Sequence, residues 1–124
     1  SEGYLFIYFY PKANTPGCTK QACSLQDQYR TITGKGVKVI GVSIDTAQAQ
    51  SKFRADHQLE FPLIADTDGK VCDSFGVPHM AGFAMRQAFL FHDGKLVWRD
   101  LDASTKEQAN DLLKQLELLQ GKKP

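Results

Sequence analysis

Apolar and polar positions fall along the chain in blocks that separate strands from helices. The first block is Tyr4-Leu5-Phe6-Ile7-Tyr8-Phe9-Tyr10, apolar or aromatic throughout. Such a run predicts a strand buried on both faces. Pro11 ends it. Thr15-Pro16 then reads as an N-cap followed by proline in the first helical position. Ala22, Leu25, Tyr29 and Ile32 recur at steps of three and four, the buried stripe of a helix over residues 16–32. Gly34 and Gly36 close it. Residues 37–44 form a second, mostly apolar strand. Strand, helix, strand implies parallel pairing through a right-handed crossover.

Asp45-Thr46 predicts the start of a second helix over residues 47–57, with Ala49 and Phe53 turned inward. Pro62 makes residues 61–64 an extended edge or loop piece. Asp66-Thr67-Asp68-Gly69 is a turn into a short helix that reaches Phe75, and Gly76-Val77-Pro78 breaks the chain again. Residues 79–85 show no clear period. Two apolar runs, residues 87–91 and 95–99, flank Asp93-Gly94, a strong hairpin signal. Ser104 with Glu107 reads as a capping box for a last helix, striped by Ala109, Leu112, Leu113, Leu116 and Leu119. This order predicts an α/β fold, a central mixed β-sheet flanked by helices, with no repeat or second domain.

Composition narrows the function classes. A length of 124 residues suits one domain with its own core. The net charge is +1 and no basic stripe is present, so nucleic acid is not expected as a partner. No apolar run is long enough to span a membrane. Three cysteines, an odd number, with no leader pattern suit redox-active thiols in a reducing compartment. The expectation is therefore a cytoplasmic monomer. His57, His79 and His92 lack metal-ligand spacing, so no metal is expected.

The candidate chemistry centres on Cys18. It falls in the first turn of the predicted helix, just past the carboxyl end of a buried strand, where sites of open α/β sheets collect. Unpaired N–H groups and the helix dipole favour a thiolate there, which predicts a lowered thiol pKa. The plain alternative is a small buried hydrophobe. An ordinary thiol is only about 3% ionised at pH 7. Lowering its pKa by ~3 units gains about thirty-fold in thiolate, but falling nucleophilicity returns most of that gain. A fast site must also stabilise charge as it develops on the substrate. Helix amides, the Thr15 hydroxyl and one cation are the available donors.

Pro11, Thr15 and Cys18 form a Pro-x-x-x-Thr-x-x-Cys pattern. With it the chain resembles the peroxiredoxins. Cys23, five residues beyond Cys18, matches the bacterioferritin comigratory protein or peroxiredoxin Q subfamily. The likeness continues in Gly41-Val42-Ser43-Ile44-Asp45, in Phe61-Pro62-Leu63-Ile64-Ala65-Asp66, in Phe75-Gly76-Val77 and in Arg86. It implies a thioredoxin-like domain over residues 1–124, in which the N-terminal strand pair usual for the family has no counterpart. It further implies a thiol peroxidase for hydrogen peroxide and organic hydroperoxides that uses no metal, haem or flavin. Cys18 would be the peroxidatic thiol, oxidised to sulfenic acid, and Cys23 the resolving thiol that condenses with it. A thioredoxin-like dithiol protein would reduce the resulting Cys18–Cys23 disulfide. Pro11 would shield the sulfur, Thr15 would donate a hydrogen bond, and Arg86 would aim its charge at the site. Without the resemblance, Arg86 reads as a surface residue at a strand end.

Helix geometry adds a constraint. Residues five apart on an intact α-helix have Cα atoms about 8.6 Å apart, beyond the ~7 Å reach of a disulfide. The first turns must unwind before Cys18 and Cys23 join. Cys72 reads as structural. Gln26 stands where many members have arginine, and residues 78–85 are shorter than in many members. A thiol–disulfide oxidoreductase and a redox-sensing domain are the alternative readings.

Overall fold

The protein is described from a computed structural model covering residues 3–121. Its elements run β1 (Tyr4–Phe9), α1 (Pro16–Asp27), α2 (Tyr29–Gly34), β2 (Val37–Ser43), α3 (Ala47–Asp56), β3 (Leu63–Ala65), α4 (Lys70–Phe75), β4 (His79–Met80), β5 (Phe83–Ala84), β6 (Gln87–His92), β7 (Lys95–Asp100) and α5 (Gln108–Gln120). Five strands form one mixed sheet in the order β3-β2-β1-β6-β7. β1 is central, parallel to β2 and antiparallel to β6, with Tyr8 opposite Gly41 on one side and Ala88 on the other.

That position explains the unbroken apolar run. Phe6, Tyr8 and Tyr10 face the core beneath α1 and α5, while Ile7 and Phe9 face the core that holds Cys72 of α4. The aromatic rings pack against one another at a tilt along each face: Tyr8 and Tyr10 lie 5.3 Å apart between ring centroids, and Phe9 lies 5.3 Å from Phe75. Asp93 and Gly94, both at positive φ, turn the β6–β7 hairpin. β3 is a short edge strand preceded by Pro62, as its sequence predicts.

Several local expectations need correction. The helix predicted over residues 16–32 is two helices, divided at Gln28 (φ −104°, ψ 12°). An unbroken helix of that length would run about 25 Å, whereas the strand it must retrace spans only about 20 Å. The break absorbs the difference, and the buried stripe of Ala22, Leu25 and Ile32 survives it. In α3 the inward residue beside Phe53 is Gln50, not Ala49. Gln50 accepts from the buried Tyr10 hydroxyl (2.5 Å) and donates to the Ile64 carbonyl (2.9 Å). The capping box of Ser104 and Glu107 does not form. The Ser104 hydroxyl goes to Asp111 (2.5 Å), and the N–H of Ala109 is taken by Ser24 of α1 (3.1 Å). Residues 79–85, patternless in the sequence, hold the β4–β5 hairpin. Its turn places Ala81 and Gly82 at positive φ, and alanine there gives no turn signal.

Gly41 is where the sheet is tightest. A Cβ added there would lie 2.8 Å from a Leu63 methyl and 3.1 Å from the Tyr8 ring. Overpacking of this kind costs ~1–3 kcal/mol. Gly41→Ala is therefore expected to lower the urea midpoint by that amount of stability with an unchanged m-value. An unaltered midpoint would show that Tyr8 and Leu63 yield freely.

Candidate active site

The loop that joins β1 to α1 is pinned by its own backbone. The N–H of Ala13 donates to Asp45 Oδ2 (2.7 Å), a carboxylate that also accepts from the Ser43 hydroxyl (2.6 Å). Asn14 adopts a left-handed φ of 60° and bonds Asp56 and His57 of the next crossover. Thr15 has the extended backbone of an N-cap, yet its hydroxyl does not cap the helix. It donates to the Lys12 carbonyl instead (2.7 Å). The first intrahelical bond runs from the N–H of Thr19 to the Thr15 carbonyl (2.8 Å). The N–H groups of Gly17 and Cys18 thus precede the helical ladder, and no side chain caps them.

Cys18 sits in this turn, 1% exposed. Its sulfur accepts from the N–H of Lys12 at 3.5 Å. Arg86 approaches from the start of β6. A Cβ on Gly17 would lie only 3.0 Å from Arg86 Nη2, so glycine lets the guanidinium rest on the first turn of α1. Arg86 Nη1 donates to Gln21 Oε1 (2.7 Å), and Gln21 Nε2 donates to Gln108 Oε1 (2.6 Å). Both glutamines are fully buried. Among the described residues no carboxylate pairs with Arg86.

The structure thus brings Pro11, Thr15, Cys18 and Arg86 to one place. Pro11 and Arg86 line a mostly apolar groove of about 510 Å³, walled by Met80, Phe83 and Met85 of the β4–β5 hairpin. Lys12 lies 5.5 Å over the Phe83 ring. Beneath the site is Tyr8, whose hydroxyl is buried and has no partner among the described residues. Burial, then the neighbouring Tyr10 and Cys18, hold that phenol well above its ordinary pKa.

All three thiols are free. Cys23 lies in the same unbroken helix as Cys18, half-buried, and burial with the nearby Asp27 carboxylate pushes its thiol pKa up. Cys72 is elsewhere, in the core on the opposite face of the sheet. Burial there, and a bond to the Asp66 carboxylate, push its thiol up to about 12. Burial would raise Asp66 too, but the N–H groups of Val71 (3.0 Å) and Cys72 (2.9 Å) prevail and hold it low. Gln26, in place of an arginine, clasps Glu60 through two bonds (2.6 and 2.7 Å). Sequence reasoning missed Gly17, Gln21 and Gln108, and read Asp45 as the start of α3 without foreseeing its hold on the Ala13 N–H. Gln21 alone gave a signal, a polar residue within the stripe shared by Cys18, Ala22 and Leu25.

The sequence profile of the AhpC/TSA family matches residues 1–99. Peroxiredoxin Bcp of Escherichia coli is 47% identical over 73 residues, 59% of this chain and 47% of that protein. Chloroplastic peroxiredoxin Q of Oryza sativa subsp. japonica is 44% identical over 72 residues, 58% of this chain and 33% of that protein. The matches thus span half or less of these relatives' own length. Among solved structures, peroxidoxin BcpB of Mycobacterium tuberculosis superposes with a TM-score of 0.88 at 30% identity, covering 96% of this chain and 81% of that one. The bacterioferritin comigratory protein of Xanthomonas campestris, studied for its alkyl peroxide reduction activity, gives 0.88 at 29% identity with the same coverage, 96% and 81%. The mixed sheet flanked by helices is thus thioredoxin-like, as expected.

The Cys72 pKa makes a test. At pH 9 an ordinary thiol is about three-quarters ionised. In the folded protein Cys72 keeps its proton, because its pKa is about 12. It is expected to resist iodoacetamide at pH 9 until the protein is denatured, and then to label at once. The sign for stability follows. The folded chain holds this proton more tightly than the unfolded one, so that contribution is complete below pH ~8.5 and is lost as pH rises toward 12. Prompt labelling of Cys72 in folded protein would contradict both statements.

Proposed function

The chain belongs to the AhpC/TSA family, and we propose that it is a thiol-dependent peroxidase for hydrogen peroxide and organic hydroperoxides. In this reading Cys18 attacks, Cys23 resolves, and a thioredoxin-like dithiol protein supplies the electrons. The observation that carries it is the set of donors gathered at the helix turn that holds Cys18. Two helix amides that Thr15 does not cap, the N–H of Lys12 and an Arg86 guanidinium with no carboxylate partner among the described residues gather at the first turn of α1.

The thiolate of Cys18 attacks one peroxide oxygen. The O–O bond breaks, the leaving oxygen departs as water or an alcohol after taking a proton, and Cys18 becomes sulfenic acid. Charge grows on both oxygens as the bond stretches, which is where fixed donors lower the barrier. The Thr15 hydroxyl already spends its hydrogen on the Lys12 carbonyl. What it offers the substrate is a lone pair, which accepts the peroxide O–H and orients it. Pro11 closes the site on one side, and the apolar groove beside it suits the alkyl part of an organic hydroperoxide.

Cys23 then attacks the sulfenic sulfur and releases water, leaving the disulfide. In the intact helix its raised pKa keeps it a thiol. Unwinding removes the burial that raises it and closes the distance in one motion. Among the described residues no helix is long and apolar enough to cross a membrane. Free thiols suit a reducing compartment, and the proposed setting is a single-domain monomer in the cytoplasm.

The test is NADPH consumption with thioredoxin and its reductase. Sustained turnover on adding peroxide is expected, and Cys18→Ser abolishes it. Turnover of disulfides with little peroxide would make the protein an oxidoreductase instead, and one equivalent followed by arrest would make it a sensor. Arg86→Ala is expected to slow peroxide reaction by ~10²–10³-fold, the scale for loss of one charge-stabilising donor. Alkylation of Cys18 by neutral iodoacetamide at saturating pH should fall far less. Equal loss in both reactions would mean that Arg86 serves only the fold or the thiol's ionisation.

A further inference from the structure

Resting on the peroxidase reading, we propose that Gln108, the first residue of α5, is a positioning residue that aims Arg86 by anchoring the far end of the Gln21 amide. Chemistry determines the sense of this relay. A guanidinium only donates, so the Gln21 atom 2.7 Å from Arg86 Nη1 must be its oxygen. The Gln21 nitrogen then faces the other way, and the atom it meets 2.6 Å away must be an acceptor, Gln108 Oε1. Were that acceptor removed, Gln21 would hold a buried NH2 with no partner. Its amide would then be held at the Arg86 end alone, free to swing about that one bond, and Arg86 would lose the fixed position of the oxygen it donates to.

Two further observations support the assignment. Gln108 Nε2 is buried with no partner among the described residues. A site that tolerates an orphaned donor, where an aliphatic residue would have none, needs the other half of that amide. The start of α5 is also held rigidly against α1, because Ser24, one turn after Gln21, accepts the N–H of Ala109. Gln21 and Ser24 thus grip α5 from one face of α1, and the Gln108 oxygen has a fixed place relative to the catalytic turn.

The experiment compares Gln108→Met, nearly isosteric but without a strong acceptor, with Gln108→Glu, which keeps an acceptor. Each is assayed for Cys18 oxidation by peroxide and for Cys18 alkylation. Gln108→Met should slow the peroxide reaction by ~10–100-fold, the scale for a misplaced catalytic group, and alkylation by less than about two-fold. Gln108→Glu should stay within about three-fold of the parent. In an Arg86→Ala background Gln108→Met should cost nothing more, since the two act as one unit. Equal slowing of both reactions, or an undiminished cost without Arg86, overturns the proposal. Should Gln108→Met not fold, Gln21→Met cuts the relay at its middle and must give the same slowing; a parental peroxide rate there also overturns it. Positioning is read apart from activity by NMR of the Arg86 guanidinium, with rotation about Cζ–Nε slow in the parent and fast in Gln108→Met. A parent inert to peroxide that still shows this contrast sinks the peroxidase reading and keeps the positioning. Equal rotation in both proteins overturns the positioning itself.

Discussion

β1 is hydrogen-bonded along both edges, to β2 and to β6, and its residues from Phe6 to Phe9 are 9% exposed or less. The point where the chain leaves the sheet therefore cannot shift without disturbing three strands. Tyr10 extends the pairing by one more bond, from its N–H to the Val42 carbonyl (3.1 Å). Asp45, just past the end of β2, then takes the N–H of Ala13. The connecting loop is thus fastened twice to the end of β2 before α1 begins. The first turn of α1 inherits that placement, and Arg86 arrives at the same end of the sheet because β6 runs antiparallel to β1.

Chemistry and resolution ask opposite things of α1. The folded turn holds Cys18 beside its free amides and the Lys12 N–H, while a Cys18–Cys23 bond requires that turn to open. The helix suits this conflict. It has no side-chain cap at Thr15, an omission that costs about 1 kcal/mol. At 12 residues it is close to the length below which isolated helices are marginal in water. Cys18 is the buried residue of its first turn; Ala22 and Leu25 in the core, and Gln21 and Ser24 against α5, anchor its later turns. The first turn is held mainly by its neighbours, so local opening is a small part of the global stability.

How much of this was legible in the sequence depends on how local each cause is. β1, β2, β6 and β7 followed from their apolar runs, because β1 is buried on both sides and β6 and β7 meet at Asp93-Gly94, whereas β4 and β5 left no pattern. Pro11, Thr15 and Cys18 stood out because strand end, cap and proline are signals within a few residues. The buried glutamines Gln21, Gln50 and Gln108 were not legible as a group. A glutamine looks like solvent face unless its partner is known, and the partner of Gln21 lies 87 residues away. The capping box failed for the same reason. Its local signal was sound, but α5 is capped by Ser24, 85 residues distant in sequence. Thr15 was read correctly in its backbone and incorrectly in its hydroxyl, which accepts no helix N–H and donates to the Lys12 carbonyl.

The central claim is that one helix turn is folded for attack and unfolded for resolution. Amide hydrogen exchange on the reduced and peroxide-treated protein, resolved over residues 18–25 of α1, measures it directly. Protection there is expected to fall on oxidation while the β1, β2 and β6 amides keep theirs, and Cys23→Ser is expected to show no such fall. Equal protection in both redox states of the parent would mean that the Cys18–Cys23 bond does not form, and would contradict the account.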